Sequence, residues 1–293
     1  MAEFFGSVPE IFKIWASQLL LFLGKLAPRG GWRLVRLAAR SSVDLQSIPT
    51  IIDGLAIPIF LDLRDPSCIP YYLTGNSGGN RKIRKVLPEI VRAGDVYFDI
   101  GANFGTVAAA VLPNLGDQGS MVVVEANPSV ARNLGRTFHS MEQVTVCASA
   151  VSETEGELAF YVSEKSALSS LHENPAHVKI VVPSTSIDTL VNRFGAPNVL
   201  KVDVEGAEET VFRSARQLLG SARCPIIFFE ALSDGELAAS IDLIRALHGG
   251  AGKFYHVAHG GRLVFLDHPK VSSDYVYVPD NFSERVVSLL PAR

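Results

Sequence analysis

Residues 96–105, VYFDIGANFG, are the most informative segment of the chain for its fold class. The first five of them are apolar and β-prone apart from Asp99, which is typical of a central strand that is buried on both faces. The next segment, TVAAAVL at 106–112, predicts a helix that packs on the sheet, so Gly101 to Gly105 form a turn from strand to helix. We expect the amides of this turn to point outward and glycine to permit close approach, which makes the turn a candidate site for a nucleotide-like cofactor.

A second strand signal follows at 121–128, MVVVEANP, and its last strand residue is Glu125. A carboxylate at this position can accept two hydrogen bonds from a ribose diol. A dinucleotide fingerprint would need glycine at 101, 103 and 106, where the chain has Gly101, Asn103 and Thr106. The pattern therefore disfavours NAD, whose pyrophosphate needs bare backbone in the turn.

S-adenosylmethionine is the other cofactor that suits this arrangement. It carries no phosphate, so the turn can tolerate the side chain of Asn103. Asp99, two residues ahead of the first glycine, would place negative charge near the methionyl amine and the sulfonium.

A third strand signal at 198–206, NVLKVDVEG, contains three charged residues at alternating positions, Lys201, Asp203 and Glu205. With a period of two they share one face, and burying them unpaired would cost several kcal/mol each. Either they neutralise one another as a structural network, or they line a polar site at the carboxyl end of the sheet. Open α/β sheets bind their ligands at that edge.

With these strands the chain resembles the FkbM-type S-adenosylmethionine-dependent methyltransferases. The resemblance covers roughly residues 61–281, and its most specific part is Lys201-x-Asp203-x-Glu205-Gly206-x-Glu208. Further matching segments, in chain order, are YFDIGANFG, VVVEANPS, ASAVSETEGELAFYV and TSIDTL. The resemblance implies an α/β fold of the Rossmann-like class I type, with a mostly parallel sheet, an antiparallel last strand and flanking helices.

The resemblance also implies the site residues. Glu125 would hold the ribose, with Ala126 and Asn127 in the same binding segment, and Ser149 and Ala150 would lie near the adenine. Asp203 and Glu205 would face the site of methyl transfer. The first cofactor loop would be formed by Asp99, Gly101, Asn103 and Gly105.

An alcohol acceptor calls for a general base. Asp203 is the first candidate, Glu205 the second and Glu230 the third, while Lys201 would keep Asp203 ionised or orient the acceptor; alternatively, proximity alone drives transfer. We expect O-methylation of a hydroxyl on a sugar, glycan or secondary metabolite, the oxygen preference coming from the resemblance. N-methylation of a related metabolite, a nucleotide-sugar or NAD oxidoreductase, and a regulatory subunit without activity are the alternatives.

Length and composition fit one catalytic domain at 61–293 with a helical and hairpin extension at 1–60. The net charge of −3 and the absence of a basic-aromatic module argue against nucleic acid, so a small-molecule or glycan acceptor is expected. The three cysteines form no C-x-x-C pair, which favours a reducing, cytoplasmic location without disulfides or structural zinc. His256 and His259 would face opposite sides of a strand, so no metal is expected.

The N-terminal segment IWASQLLLFLG, residues 14–24, is too short for a membrane span, and the first ten residues do not read as a signal peptide. Four arginines, Arg29, Arg33, Arg36 and Arg40, recur at helical spacing on one face. They predict either a solvated helix or an amphipathic segment that touches a membrane surface or pairs two subunits.

Two further segments are expected to shape the acceptor pocket. Residues 66–80, PSCIPYYLTGNSGGN, predict a loop that covers the site, and the polar stretch 163–184 predicts either a lid or a mobile surface insertion. Residues 51–63 predict a hairpin or short strands ahead of the main sheet. Pro88 predicts a break or a first helical position in the segment 81–92.

Overall fold

The computed structural model describes residues 10–27, 30–41, 43–76, 80–249, 252–258, 260–266 and 273–291. The helices are α1 Glu10–Leu26, α2 Gly31–Ser41, α3 Cys68–Thr74, α4 Ile83–Ile90, α5 Thr106–Leu115, α6 Pro128–Thr137, α7 Ile187–Phe194, α8 Glu208–Arg213, α9 Arg216–Leu219 and α10 Asp234–His248. Short 3₁₀ helices lie at Val43–Gln46, Ser166–Leu168 and Asp280–Leu289.

The strands are β1 Ile48–Thr50, β2 Ile59–Leu61, β3 Val96–Ile100, β4 Ser120–Glu125, β5 Val144–Ala148, β6 Ala150–Val151, β7 Gly156–Val162, β8 Val178–Thr185, β9 Val199–Val202, β10 Ile226–Ala231, β11 Gly252–Val257, β12 Leu263–Phe265 and β13 Ser273–Pro279. The main sheet has the order β12-β11-β13-β10-β9-β3-β4-β5. Strands β5, β4, β3, β9 and β10 are mutually parallel, and β13 is antiparallel to both of its neighbours. This is the expected α/β fold, with a mostly parallel sheet and helices on both faces.

Strand β3 shows why helices cover both faces. Its side chains alternate, so Tyr97 joins the buried cluster that contains Val107 and Val111 of α5, whereas Phe98 joins the opposite cluster with Phe212 of α8. A parallel strand that is apolar on both sides must be covered on both sides.

Strand order reverses at β3, because the chain runs outward from β3 to β4 and β5 and later returns to place β9 on the other side. A crevice opens at the carboxyl ends of the strands at such a point. Four chain segments enter it, immediately after Ile100 in β3, at Glu125 in β4, after Val202 in β9 and at Glu230 in β10.

Two segments that were expected to be loops contain regular structure. Residues 66–80 include α3, because Pro70 falls in the first helical turn, where no intrahelical N–H bond is lost, and Gly75 ends the helix with φ 65°. The stretch 163–184 contains a 3₁₀ turn and most of β8, which pairs antiparallel with β7 along its full length. Seven of the 22 residues of this stretch therefore belong to a strand.

Other boundaries also differ from expectation. The strand of the Lys201 segment ends at Val202, so Asp203 and Glu205 lie beyond it rather than on one strand face. Pro88 lies inside α4 and neither breaks nor starts that helix. The hairpin expected at 51–63 is formed by β1, which lies just before that segment, and by β2, which lies within it.

The division into 1–60 and 61–293 stays a prediction. Val35 of α2 and Ile59 of β2 belong to the same buried cluster as the helices that cover β3. Among the described helices, none is long and apolar enough to cross a membrane.

Candidate active site

A cavity of about 600 Å³ occupies the crevice at the carboxyl edge of the sheet. Its floor is formed by the turns that follow the parallel strands. Its other walls come from α3, through Pro70, Tyr71 and Thr74, and from the segment between β7 and β8, through Ser166, Ser169 and Leu171. The two segments expected to shape an acceptor pocket therefore do line one cavity together with the cofactor turn.

The turn after β3 depends on its glycines. Gly101 and Gly105 have φ of 70° and 75°, and Asn103 between them has φ of 49°. A Cβ atom on Gly101 would lie 1.8 Å from the carbonyl oxygen of Asp203. The two turns that carry site residues are thus in direct backbone contact, which only glycine permits.

The amides of this turn are directed inward. The N–H groups of Gly101 and Ala102 donate to the carbonyl of Val124 at 3.0 and 3.1 Å, and that of Asn103 donates to Glu125 Oε2 at 2.9 Å. The expectation that they point outward is wrong for these three, because the adjacent end of β4 offers acceptors within reach. Amides already bonded cannot cradle a pyrophosphate, which is a second argument against a dinucleotide.

Glu125 is held in place from both sides. Its Oε1 accepts from the N–H of Asn127 at 2.7 Å, while Oε2 accepts from Asn103. Burial raises the pKa of Glu125, and these two N–H donors oppose the rise. Because a carboxylate oxygen can accept more than one hydrogen bond, lone pairs of Glu125 remain for a diol in the cavity.

Two polar atoms on the cavity wall, Asn103 Oδ1 and Ser166 Oγ, are buried without a hydrogen-bond partner among the described residues. Buried polar groups are seldom left unpaired, so these atoms indicate a polar ligand. Together with Glu125 and the glycine turn, they fit the ribose and amino-acid ends of S-adenosylmethionine.

Asp99 does not line this cavity. It is fully buried beneath the turn, and its Oδ1 accepts from Lys201 Nζ at 2.9 Å. The expectation that Asp99 presents its charge to the methionyl amine is therefore replaced by an internal ion pair. Burial raises the pKa of Asp99, and the Lys201 ammonium opposes that rise.

Lys201 connects three parts of the site. Besides Asp99, its Nζ donates to the carbonyl of Gly101 at 3.2 Å and lies 3.4 Å from Asp203 Oδ2. Burial alone would lower the pKa of Lys201, but the two carboxylates hold it above its usual value. Lys201 and Asp203 thus form an internal network with Asp99, while Asp203 and Glu205 line the cavity, so both alternatives predicted from the sequence hold in part.

Three carboxylates on the cavity wall lie close together. Oxygen atoms of Asp203, Glu205 and Glu230 lie within 4.8 Å of one another. Burial, and then the charges of Asp203 and Glu208, raise the pKa of Glu205 to about 7. Burial and the charges of Asp203 and Glu205 raise the pKa of Glu230 to about 9. Three carboxylates at this spacing are also a donor set that a divalent cation would accept.

The turn that carries Glu205 is shaped by its neighbours. Glu205 has a left-handed backbone with φ 54°, followed by Gly206 with φ 94°. The carboxylate of Glu208 accepts from the N–H of Val204 at 3.0 Å and of Gly206 at 3.4 Å. His172, from the segment between β7 and β8, contacts the carbonyl of Gly206 at 2.9 Å through Nε2. The acidic turn and the polar segment over the cavity are therefore linked.

The structure brings most of the expected site residues to one cavity wall. These are Gly101, Asn103, Glu125, Ala126, Ser149, Ala150, Asp203, Glu205 and Glu230. Four others lie off the wall and support it: Asp99 and Lys201 through their ion pair, Gly105 by packing against Leu134, and Asn127 by capping α6 at Ser129.

Sequence reasoning missed several wall residues. Tyr71 stacks edge-to-face on Phe104 with centroids 5.8 Å apart, and both line the cavity, as does Phe160. The signal available was an aromatic pair, Tyr71 and Tyr72, within a segment otherwise rich in turn formers. His256 does lie in a strand, β11, whereas His259 falls outside the described residues.

Residues 99–250, just over half of the chain, match the family profile of the methyltransferase FkbM domain. The chain belongs to the FkbM methyltransferase family. It is accordingly an S-adenosylmethionine-dependent methyltransferase. No curated protein sequence matches the chain significantly.

Solved structures of similar fold include a methyltransferase FkbM from Methylobacillus flagellatus KT, at 14% identity and a TM-score of 0.44. That match covers 92% of this chain but only 59% of the other. An S-adenosylmethionine-dependent O-methyltransferase from Thermotoga maritima matches at 12% identity and a TM-score of 0.42, covering 75% and 72% of the two chains. Aeropyrum pernix fibrillarin, with natively bound S-adenosyl-L-methionine, matches at 17% and 0.39, covering 64% and 67%.

Proposed function

We propose that this enzyme methylates a hydroxyl group of a sugar, glycan or secondary metabolite, with S-adenosylmethionine as donor. The observation that carries the proposal is the shared cavity. The same cavity is lined by the glycine turn and Glu125 and by the three carboxylates of Asp203, Glu205 and Glu230. A donor and a hydroxylated acceptor would meet between them.

In this proposal the cofactor supplies a methyl group already activated as a sulfonium. Glu125 accepts hydrogen bonds from the ribose hydroxyls, and Asn103 and Ser166 bind polar groups with their unpaired atoms. Ser149 and Ala150 border the adenine. Tyr71 and Phe104 exclude water from one side of the cavity.

The protein must then take the proton of the acceptor hydroxyl. Asp203 stays a candidate base, but its carboxylate already forms an ion pair with the Lys201 ammonium at 3.4 Å. Glu205 forms no ion pair with a basic side chain among the described residues. Its pKa is about 7, close to the value at which a general base works best. We therefore place Glu205 first, with Asp203 orienting the acceptor.

A second candidate is methylation of an amine on a related metabolite. The supporting observation is the same acidic cluster, because three carboxylates attract a cationic acceptor. Against it, the raised pKa of Glu205 and of Glu230 keeps both partly neutral and so suited to bonding hydroxyls.

The cytoplasmic location remains part of the proposal. The three cysteines are free thiols, and Cys68 and Cys224 are buried. Free buried thiols suit a reducing compartment.

The test begins with calorimetric titration of the purified protein with S-adenosylhomocysteine and, separately, with NADH. We expect binding of the homocysteine ligand only, and its loss in Glu125→Ala. Glu142→Ala is the matched control, since Glu142 is exposed and does not line the cavity. Binding of NADH alone, or full homocysteine-ligand affinity in Glu125→Ala, would contradict the cofactor assignment.

Methyl transfer to hydroxylated and aminated acceptors is then measured with labelled donor. A methylated product from a hydroxylated acceptor supports O-methylation. Methylated products from aminated acceptors alone would contradict O-methylation and support N-methylation.

A further inference from the structure

Helix α1 exposes a continuous apolar stripe that no described element covers. Five large side chains recur at positions 15, 19, 22, 23 and 26, which spans an arc of about 100° on a helix. Their exposed fractions are large: Trp15 67%, Leu19 57%, Phe22 60%, Leu23 41% and Leu26 63%. An apolar stripe of this extent on a surface marks a binding face.

Helix α2 extends this face. Gly24 of α1 and Gly31 of α2 are in contact, since a Cβ atom on Gly31 would lie 2.3 Å from the carbonyl oxygen of Gly24. The two helices therefore form a closely packed hairpin. Trp32 of α2 is 47% exposed. Trp15 and Trp32 are the two tryptophans of the whole chain, and both lie on the outside of this hairpin.

The α1–α2 hairpin carries mostly positive charge. Residues 10–41, which span the two helices, contain six Lys and Arg and one acidic residue, Glu10, although the whole chain has a net charge of −3. Lys25 and Arg33 are exposed, and Arg36 is partly exposed while it pairs with Glu164 at 3.4 Å.

We infer that the outer face of the α1–α2 hairpin docks onto an anionic lipid bilayer and lies in its interface. Basic residues beside an apolar stripe are typical of interfacial helices, and tryptophan is enriched at the level of the headgroups. With 17 residues, α1 lies on the surface instead of crossing it. A second copy of the chain is the less favourable occupant, because pairing two such hairpins would bring their positive charges together.

The test uses the full chain with vesicles of phosphatidylcholine alone and with vesicles that also contain phosphatidylglycerol. We expect flotation with the anionic vesicles, a blue shift of tryptophan emission on binding, and weakening of both by salt. Since both tryptophans lie in the hairpin, the emission shift reports on this face and on no other part of the protein.

Leu19→Gln and Phe22→Gln keep both tryptophans and remove apolar area at exposed positions, so the fold should be preserved. Each should lower the partition coefficient by about tenfold. Val181→Gln is the matched control: Val181 is 65% exposed on β8, and vesicle binding should not change.

Three results would overturn the inference. They are no binding to anionic vesicles, equal binding to neutral vesicles, and binding that survives both glutamine substitutions. A dimer in light scattering that Phe22→Gln dissociates, without vesicle binding, would assign the face to a second copy instead.

Discussion

Lys201 Nζ lies 2.9 Å from Asp99 Oδ1. Both residues are buried, with exposed fractions of 1% for Lys201 and 0% for Asp99. The two residues belong to adjacent parallel strands, β9 and β3, in direct register. The ion pair therefore joins the two strands between which the crevice opens, directly below the first glycine of the turn.

We predict that Lys201→Met lowers the free energy of unfolding by about 3–5 kcal/mol, because it leaves the Asp99 charge buried and uncompensated. The double variant Asp99→Leu with Lys201→Met should recover most of that loss. Urea denaturation of the two single variants and the double variant measures the coupling. Additive effects would show that the two groups do not stabilise each other.

We predict that Gly101→Ala impairs both folding and binding of S-adenosylhomocysteine. Its Cβ would meet the carbonyl of Asp203, and its φ of 70° is unfavourable for alanine by about 1–2 kcal/mol. Gly94→Ala is the control: Gly94 has φ 85°, but no atom lies within 4 Å of the added Cβ. Gly94→Ala should show the conformational cost alone with unchanged ligand affinity in calorimetry. Equal affinity loss in both variants would refute the close contact as the cause.

The core strands of this fold could be predicted from the sequence because each is a short continuous apolar run, which indicates a strand without information from distant parts of the chain. Val96–Ile100 has the predicted bounds, and β10 follows the apolar run PIIFFE within one residue. The site was less predictable because its geometry comes from contacts distant in sequence. Glu230 meets Glu205 only through the pairing of β10 with β9, and the inward amides of the turn depend on Val124.

Segments that mix turn formers with apolar residues were the least predictable. In residues 66–80, Pro70 and Gly75 suggested a loop, yet both are compatible with a helix when one lies in its first turn and the other ends it. Burial of Cys68, Ile69 and Tyr71 against the core stabilises α3, and that packing is not visible in the sequence.

We predict that the rate of methyl transfer rises about tenfold per pH unit below pH 7 and levels off above it. In the proposed mechanism the ionised form of Glu205 takes the proton of the acceptor, and the pKa of Glu205 is about 7. Glu205→Gln should lower kcat by about two to four orders of magnitude and abolish this pH dependence. Glu209→Gln is the control, because Glu209 lies on the surface of α8 in an ion pair with Arg213. A profile unchanged in Glu205→Gln but lost in Asp203→Asn would transfer the role of base to Asp203.

We predict that Glu230→Gln flattens the dependence of stability on pH. In the folded protein the pKa of Glu230 is raised from 4.5 to about 9, so the folded state binds the proton more tightly than the unfolded chain. This contribution to stability is complete below pH 4.5 and is lost as pH rises through 9. Denaturation at a series of pH values should show a shallower decline in the variant, whereas a parallel decline would indicate that Glu230 titrates normally.

The left-handed backbone of Glu205 determines which substitutions at this position stabilise the fold. At φ 54° a glycine is less strained than a glutamate, so Glu205→Gly would make the turn easier to form while removing the carboxylate. Selection or design for stability alone would therefore erase this side chain. At this position the chain keeps a less favourable backbone together with the carboxylate that we propose as the general base.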